Sequence, residues 1–517
     1  MKYSWSFSLL LLFIVFAIYG NSLGNDFVWD DAVVIVKNPL LKGDALSLFA
    51  AIDSGREIDL TPYYRPLTFL SFLVEERLHG LKPFPMHLLN VLLHTVNAFL
   101  VYRLARFIIK DEQASFFAAL LFAVHPISNE TVDFLSCRNT LLACFFALMA
   151  YLFHIRSAVA GAVFFLAALF SKEIGLMILP FIVAQEISSA RNISGYRYRS
   201  LIRLIPYVFC TGAYLALRGN AIDAAGVKID ILSGLGTRLL DNLYIIPRYV
   251  LAIVWPSSIS IRYYVPDDIH LLALPLVFAW IGICGVLVWL MIRCRTKATL
   301  FGLAWLVSFL LPVSGIIPIP SASMADRYLY VPAIGLWIVI GDQYSRLISS
   351  QLRYRRYFLI ASVFILVFLS VVTVIRNNDW KNDVTLFSHY AKQNPDSAFA
   401  HHNLGCAYLD KVGNLDAAER EFFKAIDLNP SFPRLWTQMG YISLLRGNYE
   451  LAVSRYDEAI SQNPFDAEAY LNRAIAFDRL GKYEYAVADY RRFLAIPGNE
   501  LADARPQATE RMRELAK

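Results

Sequence analysis

The sequence predicts an all-α protein in two parts: a membrane part of about eleven spanning helices, followed by a solenoid of helix pairs. Three observations predict this fold class. Of the 517 residues, 57% are hydrophobic and 17% are charged, whereas a soluble domain has about 25% charged residues. Long apolar runs recur up to residue 376, and a 34-residue repeat follows residue 400. We therefore predict a membrane domain over 1–376 and a soluble domain over 377–517.

The membrane part contains apolar runs of the length that a spanning helix needs, about 20 residues. The candidate spans are 5–23, 87–109, 114–134, 139–156, 157–171, 174–187, 201–217, 271–292, 298–317, 328–345 and 357–376. The stretch 239–256 is also apolar, but Pro247 and Pro256 interrupt it. We predict that this stretch is re-entrant or interfacial and does not cross the membrane.

Lys and Arg cluster on alternate loops, which predicts their side of the membrane. With a cytoplasmic N-terminus, the basic clusters around Arg103, Arg156, Arg197, Arg295 and Arg355 all lie inside. The net charge of +6 then reports orientation, and we predict no nucleic-acid partner. An odd number of crossings places the C-terminal part outside the cytoplasm. This pattern predicts a multi-pass membrane protein whose soluble domain lies outside the cytoplasm.

The predicted outer side carries ionisable residues of both signs next to the apolar spans. They are Asp30, Asp31, Arg65, His125, Glu130, Arg138, Lys172, Glu173, Asp326 and Arg327. A single charge at a span end is often an interfacial anchor or one half of a local ion pair. So many charges on one side predict a polar cavity there, because charge near hydrocarbon is costly unless it is paired or hydrated. The long outer loop 24–86 belongs to this side.

The soluble part repeats a helix-pair pattern. Gly413, Gly447 and Gly481 are spaced by 34 residues, as are Ala418, Ala452 and Ala486, while Pro430 and Pro464 close successive units. This is the pattern of tetratricopeptide repeats (TPR), with three units over about 396–498. Stacked helix pairs form a curved surface that typically binds a protein or peptide. The alternative is a stabilising scaffold with no ligand.

Neither a disulfide framework nor a metal site is predicted. The six cysteines form no CxxC pair, and most lie in or beside apolar spans. A zinc site from Asp30, His125 and Glu130 has no His-x-x-x-His spacing to support it. We expect no required cofactor, although a divalent metal stays open as an alternative.

Several blocks of the sequence resemble one family in consistent order. They are Asn21 to Gly24 with Phe27 to Asp31, Tyr64 to Leu67, His87 to Asn90 with His94, Phe122 to Pro126 with Glu130 and Arg138, Ser171 to Glu173, Asp326 to Tyr330, and Arg376 with Trp380. Together they resemble the TMTC family, whose members carry tetratricopeptide repeats after a membrane glycosyltransferase module. Animal members carry many more repeats, which implies a shorter, bacterial relative and leaves the acceptor open. For a bacterial relative, the predicted orientation implies an inner-membrane protein with periplasmic repeats.

The resemblance implies an enzyme similar to GT-C glycosyltransferases, including the protein O-mannosyltransferases. It implies transfer of mannose or another hexose, with inversion, from a polyprenyl-phosphate donor to an acceptor hydroxyl such as a protein Ser or Thr. An acidic residue of the first outer loop is then the base. We favour Asp30, with Asp31 orienting, although the two roles are exchangeable on sequence alone.

The resemblance and the placement of charge assign roles to the other residues. We predict that His125 and Glu130 contact the acceptor or sugar, with a Glu130–Arg138 pair as the alternative for Glu130. Arg65, Arg138, Lys172 and Arg327 are predicted to bind the donor phosphate. The rival hypothesis is a non-enzymatic, membrane-anchored TPR scaffold for an envelope or secretion complex. A transporter is disfavoured because no internal duplication is visible and the charges collect on one side.

Overall fold

The computed structural model describes residues 2–50, 64–191, 196–224, 235–256, 261, 263, 273–293, 295–314, 324–350, 352–432, 434–497 and 501–516. Within these ranges every regular element is a helix and none is a strand, so the all-α prediction is confirmed. Parts of the predicted outer loops, at 51–63, 225–234, most of 257–272 and 315–323, lie outside the described residues. The chain divides into a membrane unit that ends at Asn382 and a repeat unit that begins at Asp383.

The membrane unit contains fifteen α-helices in its described ranges. They are α1 (Lys2–Tyr19), α2 (Ala45–Ala50), α3 (Pro66–His79), α4 (Pro83–Ile109), α5 (Glu112–Val124), α6 (Asn129–Asp133), α7 (Arg138–His154), α8 (Ala158–Ser171), α9 (Leu179–Arg191), α10 (Tyr196–Ala224), α11 (Leu235–Val254), α12 (Ala273–Arg293), α13 (Lys297–Leu310), α14 (Ala333–Ser350) and α15 (Arg355–Asn377).

Six stretches, on α1, α4, α7, α10, α12 and α15, are long and apolar enough to cross a membrane. Helices α5, α8 and α13 are apolar but shorter. The chain is therefore a multi-pass membrane protein, while the number of about eleven crossings stays a prediction. The stretch predicted to be re-entrant forms α11, a continuous 20-residue helix with Pro247 inside it.

Helix α5 shows how local sequence sets the boundaries near the charged residues. The Asp111 side chain accepts a hydrogen bond from the Ala114 amide at 3.1 Å and caps the start of the helix. The helix ends at Val124, and His125 is extended with ψ 132°. Proline disfavours helical conformation in the residue before it, so Pro126 explains this end. The predicted span 114–134 is therefore not one continuous helix, because it is interrupted after Val124 and only the short helix α6 follows.

The segment that follows α5 is buried throughout. Every residue from Leu121 to Arg138 is buried, although the segment is rich in polar side chains. It turns through Pro126–Ser128, the short helix α6 and a turn at Leu135–Cys137 before α7 begins. The expected outer connection therefore lies inside the membrane unit, where its polar groups need partners.

The first and last helices of the membrane unit are joined by asparagines. The Asn377 side-chain amide donates to the Ile18 carbonyl at 2.7 Å and to Asn21 Oδ1 at 2.7 Å. Asn21 in turn donates to the Val374 carbonyl at 3.0 Å. Asn129 of α6 donates to the Thr373 carbonyl at 3.1 Å. The ends of α1 and α15 are thus fixed to each other and to the buried segment.

The repeat unit consists of antiparallel helix pairs. Its helices are α16 (Asp383–Gln393), α17 (Ala398–Ala407), α18 (Leu415–Leu428), α19 (Leu435–Leu445), α20 (Tyr449–Gln462), α21 (Ala467–Arg479), α22 (Tyr483–Ala495) and α23 (Ala504–Leu515). Gly405 and Gly440 each face an aromatic ring of the partner helix so closely that a Cβ would collide with it. Gly413, Gly447 and Gly481 have positive φ angles of 67°, 76° and 71°, which glycine adopts without strain.

Candidate active site

Asp31 is an anchored carboxylate. It is buried, and its Oδ1 accepts hydrogen bonds from the Ser136 amide at 2.8 Å and the Ser136 hydroxyl at 2.6 Å. Its Oδ2 accepts one from the Val28 amide at 3.2 Å. Burial raises the pKa of Asp31 to about 7, while the Ser136 hydroxyl and the two amides act in the opposite direction. Through these hydrogen bonds, Asp31 holds its own loop against the turn that precedes α7.

Asp30 lies in a different environment, one residue away. It is exposed, and its carboxylate accepts no hydrogen bond from the residues that the structure describes. The protein around the carboxylate raises its pKa by desolvation, and the positive charge of Arg327 acts in the opposite direction. Asp30 therefore presents an accessible carboxylate within electrostatic range of a guanidinium.

The residue before Asp30 has an uncommon backbone conformation. Trp29 has a positive φ of 52°, which costs a residue with a side chain about 1–2 kcal/mol. Its ring stacks on Phe134, with 5.4 Å between the ring centroids, and Phe134 stacks on Trp380 at 5.5 Å. An aromatic pair contributes about 0.5–1.5 kcal/mol beyond the area that it buries, so these contacts offset the strain.

Glu130 and Arg327 form a buried pair. Glu130 Oε2 accepts from the Arg327 amide at 2.8 Å, and Oε1 accepts from the Arg327 guanidinium. Burial alone would lower the pKa of Arg327, but the charge of Glu130 outweighs it and holds that pKa well above its usual value. We predicted a contact of Glu130 with acceptor or sugar. In this structure its carboxylate positions Arg327, which remains fully cationic.

Lys172 follows the last residue of α8 in an extended conformation. Its Nζ donates to Thr140 Oγ1 at 2.8 Å and lies 5.9 Å from the centre of the Tyr328 ring. Burial, together with the neighbouring charges of Arg65 and Arg327, lowers the pKa of Lys172 to about 8, while Glu173 acts in the opposite direction. Of the predicted phosphate ligands, Arg65 and Arg327 are therefore both close enough to influence Lys172.

Arg65 forms an ion pair with Glu173. Its Nε and Nη2 donate to the two carboxylate oxygens at 3.2 and 2.7 Å, the two-point geometry that suits an arginine and a carboxylate. Burial would raise the pKa of Glu173, but the charge of Arg65 overcomes it and brings that pKa to about 2. Arg65 thus keeps a carboxylate beside Lys172.

Arg138 differs from its predicted role as a phosphate ligand. It is completely buried. Its Nε donates to Asn90 Oδ1 at 2.8 Å, its Nη2 to the Met86 carbonyl at 2.8 Å, and its Nη1 to the Glu75 carboxylate. The guanidinium also lies 4.5 Å from the centre of the Phe72 ring. Arg138 therefore joins α3, α4 and α7, and we do not carry it forward as a phosphate ligand.

His125 also has a structural position in place of the expected sugar contact. Its Nδ1 accepts from the Ile127 amide at 3.2 Å, and its Nε2 pairs with the Ile253 carbonyl at 2.9 Å. The ring lies 5.0 Å from that of Trp337. The ring therefore caps the turn that follows α5.

The structure adds partners that sequence reasoning missed. Ser136 holds Asp31, Thr140 holds Lys172, and Phe134 and Trp380 support Trp29. The signal that could have found the first two is local, because Ser136 and Thr140 each lie two residues from Arg138. Among the described residues, no group of three or more His, Cys, Asp or Glu side chains is arranged to hold a metal ion.

Glu130, Lys172 and Arg327 lie close together in the membrane unit, because Arg327 pairs with Glu130 and both cations lie near the Tyr328 ring. The accessible carboxylate of Asp30 thus lies within electrostatic range of Arg327, and Lys172 lies near the same Tyr328 ring as Arg327. Such a site can accept a proton at one point and stabilise a developing anion at another.

Comparison with known proteins supports the predicted resemblance. Family models described as "Tetratricopeptide repeat" match residues 400–432 and 440–508. The protein O-mannosyl-transferase F38B6.6 of Caenorhabditis elegans is 29% identical over 448 residues, which are 82% of this chain and 63% of that protein. The protein O-mannosyl-transferase TMTC3 of Homo sapiens is 27% identical over 470 residues, covering 81% of this chain and 51% of that protein.

The matched stretch spans between about half and two thirds of those relatives' length. Among solved structures, the crystal structure of MamA aligns with 26% of this chain and 84% of its own, at 18% identity and a TM-score of 0.22. The relatives thus confirm the resemblance seen in the sequence motifs. Over about four fifths of its length this chain is similar to the TMTC-family protein O-mannosyl-transferases, and it carries tetratricopeptide repeats at its C-terminal end.

Proposed function

We propose that this protein is a GT-C-type inverting glycosyltransferase of a bacterial inner membrane. It transfers mannose or another hexose from a polyprenyl-phosphate donor to an acceptor hydroxyl, such as that of a protein Ser or Thr. The observation that carries the proposal is the contrast within the acidic pair. Asp31 is fully engaged with Ser136 and Val28, while the exposed Asp30 is free to act as a base.

In the proposed reaction the acceptor oxygen attacks the anomeric carbon of the sugar. Asp30 takes the hydroxyl proton as the new carbon–oxygen bond forms. The bond between the anomeric carbon and the phosphate oxygen breaks on the opposite side, so the configuration inverts and the electron pair leaves on the phosphate. The raised pKa of Asp30 suits a base, because a carboxylate of higher pKa is a better proton acceptor.

Arg327 and Lys172 supply the positive charge for the leaving phosphate. Arg327 is fixed by Glu130, and Lys172 by Thr140. Cations that are already oriented stabilise the developing charge without a cost of reorganisation. Arg65 has less freedom because Glu173 occupies two of its nitrogens, so we assign it mainly to the support of Lys172.

We further propose that the site and the repeats both face the periplasm, with the N-terminus in the cytoplasm. The repeats then bind the acceptor protein or a partner that delivers it. The alternation of basic loops in the sequence supports this orientation, and the helix-pair architecture supports the binding role.

The test is turnover of the purified full-length chain with a polyprenyl-phosphate hexose and Ser- and Thr-containing peptides, followed by mass spectrometry. Asp30→Asn should lower kcat by about 10²–10⁴-fold and keep donor binding, since Asn is nearly isosteric but takes no proton. Asp26→Asn, at an exposed position of the same loop, is the matched control and should retain activity. Near wild-type turnover of Asp30→Asn would overturn the role of Asp30. A wild-type chain that transfers no sugar would instead favour the scaffold.

A further inference from the structure

The segment that leads from α15 towards the repeats ends in a buried tryptophan. Trp380 follows α15 in a short turn, Asn378–Trp380, and its side chain is buried. The next residue, Lys381, is exposed, and its carbonyl accepts a hydrogen bond from the Asp26 amide at 3.0 Å. The first loop of the membrane unit therefore contacts the last segment of that unit, only a few residues from Asp30.

Three aromatic rings connect Trp380 to the residue before Asp30. Trp380 and Phe134 stack with an interplanar angle of 24°, and Phe134 and Trp29 stack with an angle of 13°. We call Trp29, Phe134 and Trp380 the aromatic stack. Its middle ring belongs to the same buried segment as Ser136, the residue that binds Asp31. The loop that carries Asp30 and Asp31, the acidic loop, is thus held on both sides of Asp30 by one segment: Phe134 contacts Trp29 and Ser136 binds Asp31.

The loop needs this support because Trp29 has an unfavourable backbone conformation. Its φ of 52° lies in the left-handed region, which residues other than glycine, asparagine and aspartate seldom occupy. Such a conformation persists only where the surroundings determine it, and it is concentrated at functional sites. The conformation of Trp29 sets the direction in which the chain enters Asp30. The contacts of the Trp29 ring therefore bear directly on the position of the Asp30 carboxylate.

We propose that Trp380 is a positioning residue for Asp30 and acts through Phe134 and Trp29. The inference rests on the proposed function in one respect, because it takes Asp30 to be the base. Removing the Trp380 ring leaves a void behind Phe134. Phe134 then loses the flat partner that fixes its tilt, and Trp29 loses its support in turn. A base displaced by about 1 Å can cost about 10²-fold in rate.

The first experiment measures the loop itself and needs no turnover. Hydrogen exchange of the full-length protein in detergent is followed by mass spectrometry of peptides covering 26–36. Trp380→Ala should accelerate exchange there, because local opening becomes easier when supporting contacts are lost. Trp380→Phe, which keeps a ring, should restore most of the protection. Lys381→Ala is the matched control and should match the wild type, since its side chain is exposed and its carbonyl remains.

The second experiment is steady-state transfer by the same variants. Trp380→Ala should lower kcat by about 10–10²-fold, with the donor KM within about twofold of the wild type, because Lys172 and Arg327 are untouched. Trp380→Phe should recover most of kcat. A tryptophan that only stabilises the fold would instead reduce the amount of folded protein and leave the kcat of the folded fraction unchanged.

The outcomes separate this inference from the proposed function. Unchanged exchange over 26–36 in Trp380→Ala overturns the positioning role, whatever the activity. If Trp380→Ala does not fold, Phe134→Leu provides the same test from the middle of the aromatic stack. If the wild type transfers no sugar, the proposed function fails, while the exchange experiment still decides whether Trp380 holds the Asp30 loop.

Discussion

Two arginine–glutamate pairs, one in each unit, have similar contacts and very different surroundings. In the membrane unit, Arg138 and Glu75 have side-chain exposures of 0% and 7%. In the repeat unit, Arg434 and Glu468 have exposures of 52% and 24%. Arg138 has further partners in Asn90, Met86 and the Phe72 ring. Each side of the buried guanidinium has a protein partner. In the exposed pair, water can replace much of the hydrogen bonding when one partner is removed.

This difference shows which charged pairs contribute most to the stability of this protein. A buried charge that loses its partner keeps its desolvation cost and has nothing to compensate it. An exposed pair gains little, because water screens it and the long side chains lose entropy when they pair. The comparison therefore predicts a strong dependence of mutational cost on location, which three measurements test in order of decreasing effect.

The largest effect is expected for Arg138→Met. The change leaves the Glu75 carboxylate buried without its cation and removes the donors to Asn90 and Met86, so we expect a loss of about 3–5 kcal/mol of stability. The measurement is the thermal unfolding midpoint of the full-length protein in detergent. The double variant Arg138→Met with Glu75→Gln should recover part of the loss. An unfolding midpoint for Arg138→Met equal to that of the wild type would show that the network is not needed for folding.

An intermediate effect is expected for the pH dependence at Lys172, which is buried but makes its hydrogen bond to a neutral hydroxyl. Its pKa lies at about 8, so the ammonium loses its proton, and with it the positive charge, as pH rises through that value. Binding of polyprenyl phosphate should therefore weaken above about pH 8 and not below it. We expect about a tenfold change, in line with about 1.5 kcal/mol for a hydrogen bond to a charged group.

Lys172→Arg is the control for this measurement. An arginine stays cationic well above pH 8, so the variant should bind polyprenyl phosphate with an affinity that no longer falls at that pH. The measurement is the dissociation constant of polyprenyl phosphate for both proteins, below and above about pH 8. The same fall in both proteins, or none in the wild type, would remove Lys172 from the phosphate site.

The smallest effect is expected for Arg434→Ala in the repeat unit. The partner Glu468 becomes hydrated when the arginine is removed, so the loss should be about 0.2–1 kcal/mol. It should also shrink with added salt, because salt screens exposed charges. Thermal unfolding at low and high salt measures both. A loss as large as that of Arg138→Met would contradict the comparison between the two pairs.

Local patterns were predictable from sequence because their causes lie within a few residues. The end of α5 at Val124 has such a local cause, the restriction that Pro126 places on His125, although the predicted span 114–134 ran past it. The 34-residue spacing of Gly413, Gly447 and Gly481 locates the turns between helices, and their positive φ angles give the physical reason. The helical class and the repeats follow from such short-range patterns.

Pairings between distant residues were not predictable in the same way. Ser136 lies 105 positions after Asp31, so the sequence left the roles of Asp30 and Asp31 exchangeable. The sequence likewise placed Arg138 among charges on one side of the membrane but did not reveal Glu75, 63 positions earlier, which occupies it. Position along a span predicts where a charge lies, and tertiary structure decides what it binds.

The asparagine contacts between α1 and α15 have a consequence for how the chain is made. Asn377 and Asn21 are 356 positions apart, and ribosomes add about 5–20 residues per second. The first helix therefore waits about 20–70 s for its last partner to be synthesised. During that interval the supporting contacts that come from Asn377 and Trp380 are not yet available to the loop that carries Asp30. The order of synthesis thus delays assembly of the acidic loop until the whole membrane unit has been translated.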